Sequence, residues 1–398
     1  MSVWLNIVTA MTFASSVALA QPGGTPDVPP DAPPPPPPDQ EPSPDQEPSP
    51  PSQALDPEIK EDNKVLVEKP KEVEKPPVKT ELKAQDKADA KKKLRVTGFV
   101  QGLYSYARGR EPAGAFSITR ARIRGSAEIV PDRFSVTAMM ELASLPTMEL
   151  RDAYGTIRVG TQEIRLGQFK PAFGWENALA ARYQPTVERS LLSRPISATA
   201  PGRLRDIGVG VFGEIPISKD VTIEDSISVF NGAGDNTPED TPRKDVMGRL
   251  GIAYRKIVRI GVSGSSVQFE RVDAMDPSIA TRETSIRYGA DVVVDQPYFM
   301  VVAEVAEARF SEPDDRKRRG AYGMALGKLP FGVRPVVRYE ILNPSTKETG
   351  DTRKRVYVGV NHHLVPDNLD AFWWTVAYIH DFAPTSTHLV LVRAHHGF

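Results

Sequence analysis

The sequence predicts an all-β protein: a 16-stranded antiparallel transmembrane β-barrel with a long third extracellular loop, preceded by a disordered, proline-rich N-terminal arm. Three observations carry this reading. From residue 94 onward, short runs alternate apolar and polar residues, the period of a strand with one buried face. Beyond the first 20 residues, no stretch approaches the ~20 apolar residues that a membrane-spanning helix needs. Arg120, Arg122 and Arg124 stand at two-residue spacing, with Ala121, Ile123, Gly125 and Ala127 on the alternate positions.

The alternating runs include VTGFVQGLYSY, FSVTAMMEL, VTIEDSISVF, TSIRYGADVVV and THLVLVRAHHGF. Strands are predicted over 95–107, 116–130, 133–142, 149–159, 163–170, 205–214, 221–230, 246–255, 257–269, 283–294, 297–309, 319–328, 333–342, 354–364, 370–380 and 387–398. Connections after even-numbered strands are short, as at Pro131-Asp132 and Asp295-Gln296. Those after odd-numbered strands are longer and contain prolines, which cannot sit in a central ladder. Short turns on one side and long loops on the other mark bacterial outer-membrane barrels, with the short side periplasmic. A soluble sandwich would break into units of about 100 residues, and the alternation runs on without such a break. Asp225 is the local conflict: it falls on the face predicted to point outward.

Residues 1–20 carry no charged side chain and end in Ala18-Leu19-Ala20, the pattern of a signal peptide cleaved before Gln21. Residues 21–57 contain 16 prolines and form an extended linker. Residues 58–93 mix charges with too few apolar residues for a core, and read as a disordered or weakly helical periplasmic segment. Together, 21–93 read as a solvated linker or as a tether to the cell wall or a periplasmic partner. The outer-membrane barrel domain takes 94–398.

The formal charge of −1 hides an asymmetry: residues 1–93 carry −5, which leaves +4 for 94–398. All 31 arginines lie in the second part. Arginine in place of lysine suits a planar donor fork meeting carboxylate or phosphate oxygens. There is no cysteine, so disulfides and thiolate metal sites are excluded.

In a strand, residues i, i+2 and i+4 share a face, so the three arginines form one column. Pointing at lipid near the midplane, each would cost ~2–4 kcal/mol, about 6–12 for the three. Mutual repulsion between neighbours at that spacing is only roughly 0.6 kcal/mol in water and ~2.5 at an effective dielectric of 20. The column is therefore predicted to face a wet lumen, where it would concentrate anions. The alternative is a charge ladder balanced by lumenal carboxylates such as Glu128 and Glu141. The third long connection, 171–204, holds Arg182, Arg189, Arg194 and Arg203 with Glu176 and Glu188, and could fold inward to narrow the pore. An extracellular flap is the other course open to it.

Other chemistries find little support. The pairs His362-His363 and His395-His396 point to opposite faces of their strands and cannot chelate jointly. His380 and His388 could meet across the last hairpin, but two ligands do not make a metal site. Neither a metal nor another cofactor is expected. No motif singles out a serine–histidine hydrolase, and NGAGDN lacks the lysine of a phosphate loop. The basic run DDRKRR reads as charge facing the outer leaflet, and nucleic acid is not an expected partner.

Several ordered segments resemble the phosphate-selective porin O and P family. They are ITRARIRG (118–125), LRDAYG (150–155), RLGQFKPAFGWE (165–176), VERSLLSRP (187–195), APGRLRDIGVGVFG (200–213) and SVFNGAGDN (228–236). The likeness covers about residues 95–255, and Ala172 stands where a second proline is usual. The resemblance implies a 16-stranded outer-membrane barrel, commonly trimeric, which draws phosphate or similar inorganic anions along an arginine ladder. Position by position, that ladder falls on Arg120, Arg122 and Arg124. A terminal aromatic, Phe398, on an amphipathic last strand resembles the signal read by the barrel-insertion machinery. The expectation is a passive channel with no enzymatic activity, embedded in outer-membrane lipid with its arm in the periplasm. The alternative is a structural barrel tethered to the wall through its arm, with non-specific diffusion.

Overall fold

The computed structural model describes residues 94–143, 147–197, 203–239, 242–272, 280–311, 316–365, 368–383 and 386–398. The signal peptide expected over 1–20, the linker over 21–57 and the charged segment over 58–93 lie outside them.

The described chain is a closed barrel of sixteen antiparallel strands, each paired with its neighbours in sequence. In chain order these are β1 (Leu94–Ala107), β2 (Gly114–Val130), β3 (Phe134–Glu141), β4 (Glu149–Val159), β5 (Gln162–Phe169), β6 (Asp206–Pro216), β7 (Val221–Phe230) and β8 (Asp245–Tyr254). There follow β9 (Val258–Val272), β10 (Ala280–Asp295), β11 (Phe299–Phe310), β12 (Lys317–Gly327), β13 (Val333–Asn343), β14 (Arg353–His363), β15 (Phe372–Ala383) and β16 (Thr387–Gly397). Each overlaps its predicted counterpart, with ends displaced by at most 3 residues.

The two-residue period decides what each wall faces. On β13, Val337, Tyr339 and Ile341 are 48%, 48% and 36% exposed on the outer surface, while Val336, Arg338, Glu340 and Leu342 between them are 3% exposed or less. Such an apolar exterior with a polar interior reverses a soluble protein and fits a barrel in lipid. Asp225 does sit on the outward face, in register with Gly213 and the exposed Leu250. It is four residues from the start of β7 and accepts a hydrogen bond from Gln162 Nε2 at 3.1 Å.

Closure joins β1 to β16, with Gln101 opposite His395. The terminal residue completes the seam: Gly98 N donates to Phe398 O at 2.9 Å and Phe398 N to Gly98 O at 3.0 Å. A Cβ on Gly98 would fall 2.3 Å from the Phe398 ring, so that close approach requires glycine.

The alternation of short turns and long loops holds for the first seven strand pairs and fails at the last. The β14–β15 connection, 364–371, is longer than the β15–β16 connection, 384–386. β15 continues to Ala383, three residues past its predicted end, and shortens the final loop.

Candidate functional site

The connection between β5 and β6, residues 170–205, enters the barrel rather than capping it. Its one turn of helix, α1 (Gly174–Ala178), crosses to the far wall. Gly174 N donates to Ser263 Oγ on β9 at 2.9 Å, and Glu176 N to Glu304 Oε2 on β11 at 3.1 Å. Gly174 has φ +66°, and a Cβ there would lie 1.9 Å from Glu304 Oε1, so only glycine fits.

Buried Glu176 is the main pin. It accepts from Ser190 N at 2.9 Å, Ser190 Oγ at 2.5 Å, Gln184 Nε2 at 2.7 Å and an Arg338 terminal nitrogen at 3.0 Å. Arg338 also pairs with Glu340 at 2.8 Å, and Glu340 accepts from Leu191 N at 2.6 Å. Side chains of four more strands hold loop carbonyls: Asn361 on Pro185 at 2.8 Å, Arg393 on Thr186 at 3.1 Å, Arg318 on Pro195 at 3.1 Å and Arg287 on Ile196 at 3.0 Å. Phe173, Val187, Leu192 and Ile196 of the loop belong to one apolar cluster with Val302, Ala306, Tyr322, Met324 and Tyr357. The loop thus fills the lumen along β9–β16.

A cavity of about 720 Å³ lies between the loop and the opposite wall. Arg120, Arg122, Arg151, Lys170, Arg189, Arg194, Arg205 and Arg355 line it, eight basic side chains against the carboxylates of Glu141, Glu149 and Glu188. Some of that charge is paired. Arg122 Nε meets Glu141 at 2.7 Å, Arg151 meets Glu149 at 2.7 Å and Asp235 at 2.9 Å, Arg205 meets Asp152 at 2.7 Å, and Arg355 meets Asp381 at 2.6 Å. Among the described residues, other cations meet neutral oxygens. Arg120 donates to Gln101 Oε1 at 2.7 Å, Lys170 Nζ to Leu179 O at 2.7 Å, and Arg189 to the backbone oxygens of Glu176 and Leu179. Arg194 is exposed to the cavity. Burial pushes the Lys170 ammonium well below its ordinary range, and the charges of Arg189 and Arg205 push it further.

A second cavity, of about 210 Å³, shares Arg122, Lys170, Ala181 and Arg205 with the first and adds Arg124, Arg165 and Arg182. Arg165 continues into a third, of about 610 Å³, toward the short-turn end. There the charge becomes mixed, with Glu163, Glu214 and Glu224 beside Arg249 and Arg259.

The three arginines of β2 lie opposite Gln101, Phe99 and Thr97 of β1, whose alternate neighbours Val96 and Val100 are exposed outside. Arg124 donates to Tyr154 Oη at 3.3 Å. Glu141 does balance one of the three, Arg122; Glu128 instead lies 3.6 Å from Arg158. Of the four loop arginines, the structure brings Arg189 and Arg194 to the main cavity. Arg182 reaches the second cavity, bonded to Asp370 at 2.6 Å and Gly98 O at 3.2 Å. Arg203 is not among the lining residues: it donates to Asp235 O at 2.6 Å and Thr237 Oγ1 at 2.8 Å. Sequence reasoning did not single out Arg151, Lys170, Arg205 or Arg355. The first three stand inside the quoted segments LRDAYG, RLGQFKPAFGWE and APGRLRDIGVGVFG, which was the available signal. His380 and His388 do face each other, with ring centroids 4.5 Å apart.

Residues 91–252 match the model of one protein family. Over that stretch the chain is similar to the phosphate-selective porin O and P family. The match spans the basic wall from β1 to β8 and all of the inserted loop. No curated protein matches the chain. Among solved structures, the porin barrel is similar to an anion-selective porin from Comamonas acidovorans, with a TM-score of 0.59 and 11% identity, covering 77% of this chain and 100% of that one. OmpT of Vibrio cholerae in its trimer form gives 0.59 and 10%, covering 77% and 99%. Salmonella typhi OmpF in complex with daunomycin gives 0.57 and 14%, covering 78% and 99%. These likenesses establish the outer-membrane porin fold.

Proposed function

We propose that the protein is a passive outer-membrane channel for small anions, with phosphate or a related oxyanion favoured. One observation supports this above the rest: eight basic side chains and three carboxylates line the main cavity. Low-dielectric walls focus such an excess into a positive potential, which raises local anion concentration and excludes cations. Arg120, Arg122 and Arg124 form the wall of the path, and Arg189 and Arg194 face them from the loop. Arg182 belongs to the lower part of the path, and Arg203 braces the loop's return to β6. Guanidinium forks suit oxyanions better than chloride, because two parallel donors meet two oxygens.

The protein assembles as a trimer in this reading. Its support is the outward surface of β1–β4, where Gly102, Ala121, Gly125, Ala138 and Gly155 allow another barrel to come close. Vibrio cholerae OmpT, with the same fold, is described in a trimer form.

Adding phosphate to one channel in a chloride-bathed planar bilayer tests the preference. Chloride current should fall at millimolar phosphate. A current that responds only to ionic strength would contradict it.

A further inference from the structure

The main cavity is not lined by charge alone. Leu103 of β1 and Val187, Leu191, Pro195 and Leu204 of the loop also open on it. Leu103 lies opposite Ser117, two pairs along the β1–β2 ladder from the Gln101 and Arg120 pair and across a bulge. Leu103 and Leu191 each rest one side on the apolar cluster behind the loop and remain half-exposed on the other. An apolar strip and the cations Arg120 and Arg194 therefore bound the same 720 Å³ space.

A lumen built for a small hydrated inorganic ion gains nothing from such a strip. Water against it is poorly satisfied, and phosphate cannot use it. A volume in the range of ordinary small-molecule pockets, with apolar walls and a few convergent polar groups, suits an organic ligand. We infer that this cavity is a binding station for monoanionic organic acids, with the carboxylate on Arg120 and Arg194 and the hydrocarbon body along Leu103, Leu191 and Pro195. The inference rests on the anion-channel reading and names a further substrate class for the same site. Affinity then rises with the apolar area of the acid at constant charge, whereas a purely electrostatic lumen ranks acids by charge and size.

The test uses the purified full-length chain in planar bilayers, carrying chloride current, with acetate or benzoate added at equal concentration. Both acids carry one carboxylate and differ in hydrocarbon area. Benzoate should halve the current at a concentration roughly fivefold or more below that of acetate. Leu191→Thr, on the loop, should shrink this ratio. Leu103→Thr, on a strand that tolerates threonine, should do the same if the first variant does not fold. Equal potency of the two acids in a channel whose reversal potential shows anion preference would overturn the inference and leave the anion reading standing. A cation-preferring reversal potential would overturn both.

Discussion

Gln101 holds Arg120 by a 2.7 Å hydrogen bond to its Oε1, and its amide nitrogen donates at 3.0 Å to Nδ1 of His395. The side chain is fully buried, so one amide fixes both a cavity-lining cation and the barrel seam. His395 continues the chain of contacts to Asp370 at 3.2 Å, and Asp370 holds Arg182 of the inserted loop at 2.6 Å. Replacing Gln101 by Met strands the polar groups of His395 and Arg120. A loss of about 1–3 kcal/mol is expected for an unsatisfied buried partner. The measurement is the temperature at which the folded band is lost in a gel; it should drop by several degrees, and an unchanged value would show that the relay carries no stability.

Glu141 offers a test of sign. It neutralises Arg122 at 2.7 Å and also accepts from Ala121 N. Glu141→Gln keeps the shape and removes one negative charge, so anion preference should rise. Arg122→Glu removes one positive charge and adds a negative one, so preference should fall by more. Reversal potentials of the two variants should therefore move in opposite directions from the parent.

Glu176 tests the loop's fixation. Glu176→Ala leaves Arg338, which is 1% exposed, with Glu340 as its one ion-pair partner among the described residues. Breaking a buried pair from one side costs about 3–5 kcal/mol. Single-channel records should show larger, noisier conductance as the loop leaves the β9–β16 wall. Quiet openings of parental size would mean that the apolar cluster and the other strand side chains, Asn361, Arg393, Arg318 and Arg287 among them, hold the loop without Glu176.

Lys170 predicts a pH dependence. Burial comes first in lowering its ammonium below the ordinary range, with Arg189 and Arg205 adding to it. The charged form exists below that lowered value and is lost as pH rises through it. Anion preference should therefore weaken on the alkaline side earlier than an exposed lysine would allow. Lys170→Met should remove this step, which reversal potentials taken across a pH series would reveal.

Much of the barrel was legible in the sequence because strand structure leaves a local mark. Arg120, Ile123 and their neighbours reveal both faces of β2 within a few residues, and a wrong orientation would place three guanidiniums in lipid. The length and arginines of the third connection allowed it to fold inward, but its anchors left no such mark. Glu176 is held by Arg338, 162 residues away, and Thr186 by Arg393, 207 residues away. Nothing near Arg338 in VVRYEIL distinguishes a loop anchor from a charge facing water. Arg203 shows the same limit: it belongs to the arginine-rich connection, yet Asp235 and Thr237 of the next loop draw it aside. The final hairpin misled because Pro384 suggested an early break, while β15 keeps pairing up to Ala383.

The most direct measurement is the reversal potential of the purified protein in a planar bilayer under a potassium chloride gradient. An excess of lumenal guanidinium over carboxylate predicts a potential displaced toward the chloride equilibrium value, with the displacement shrinking as salt screens the cavity. A potential displaced toward the potassium value would contradict it.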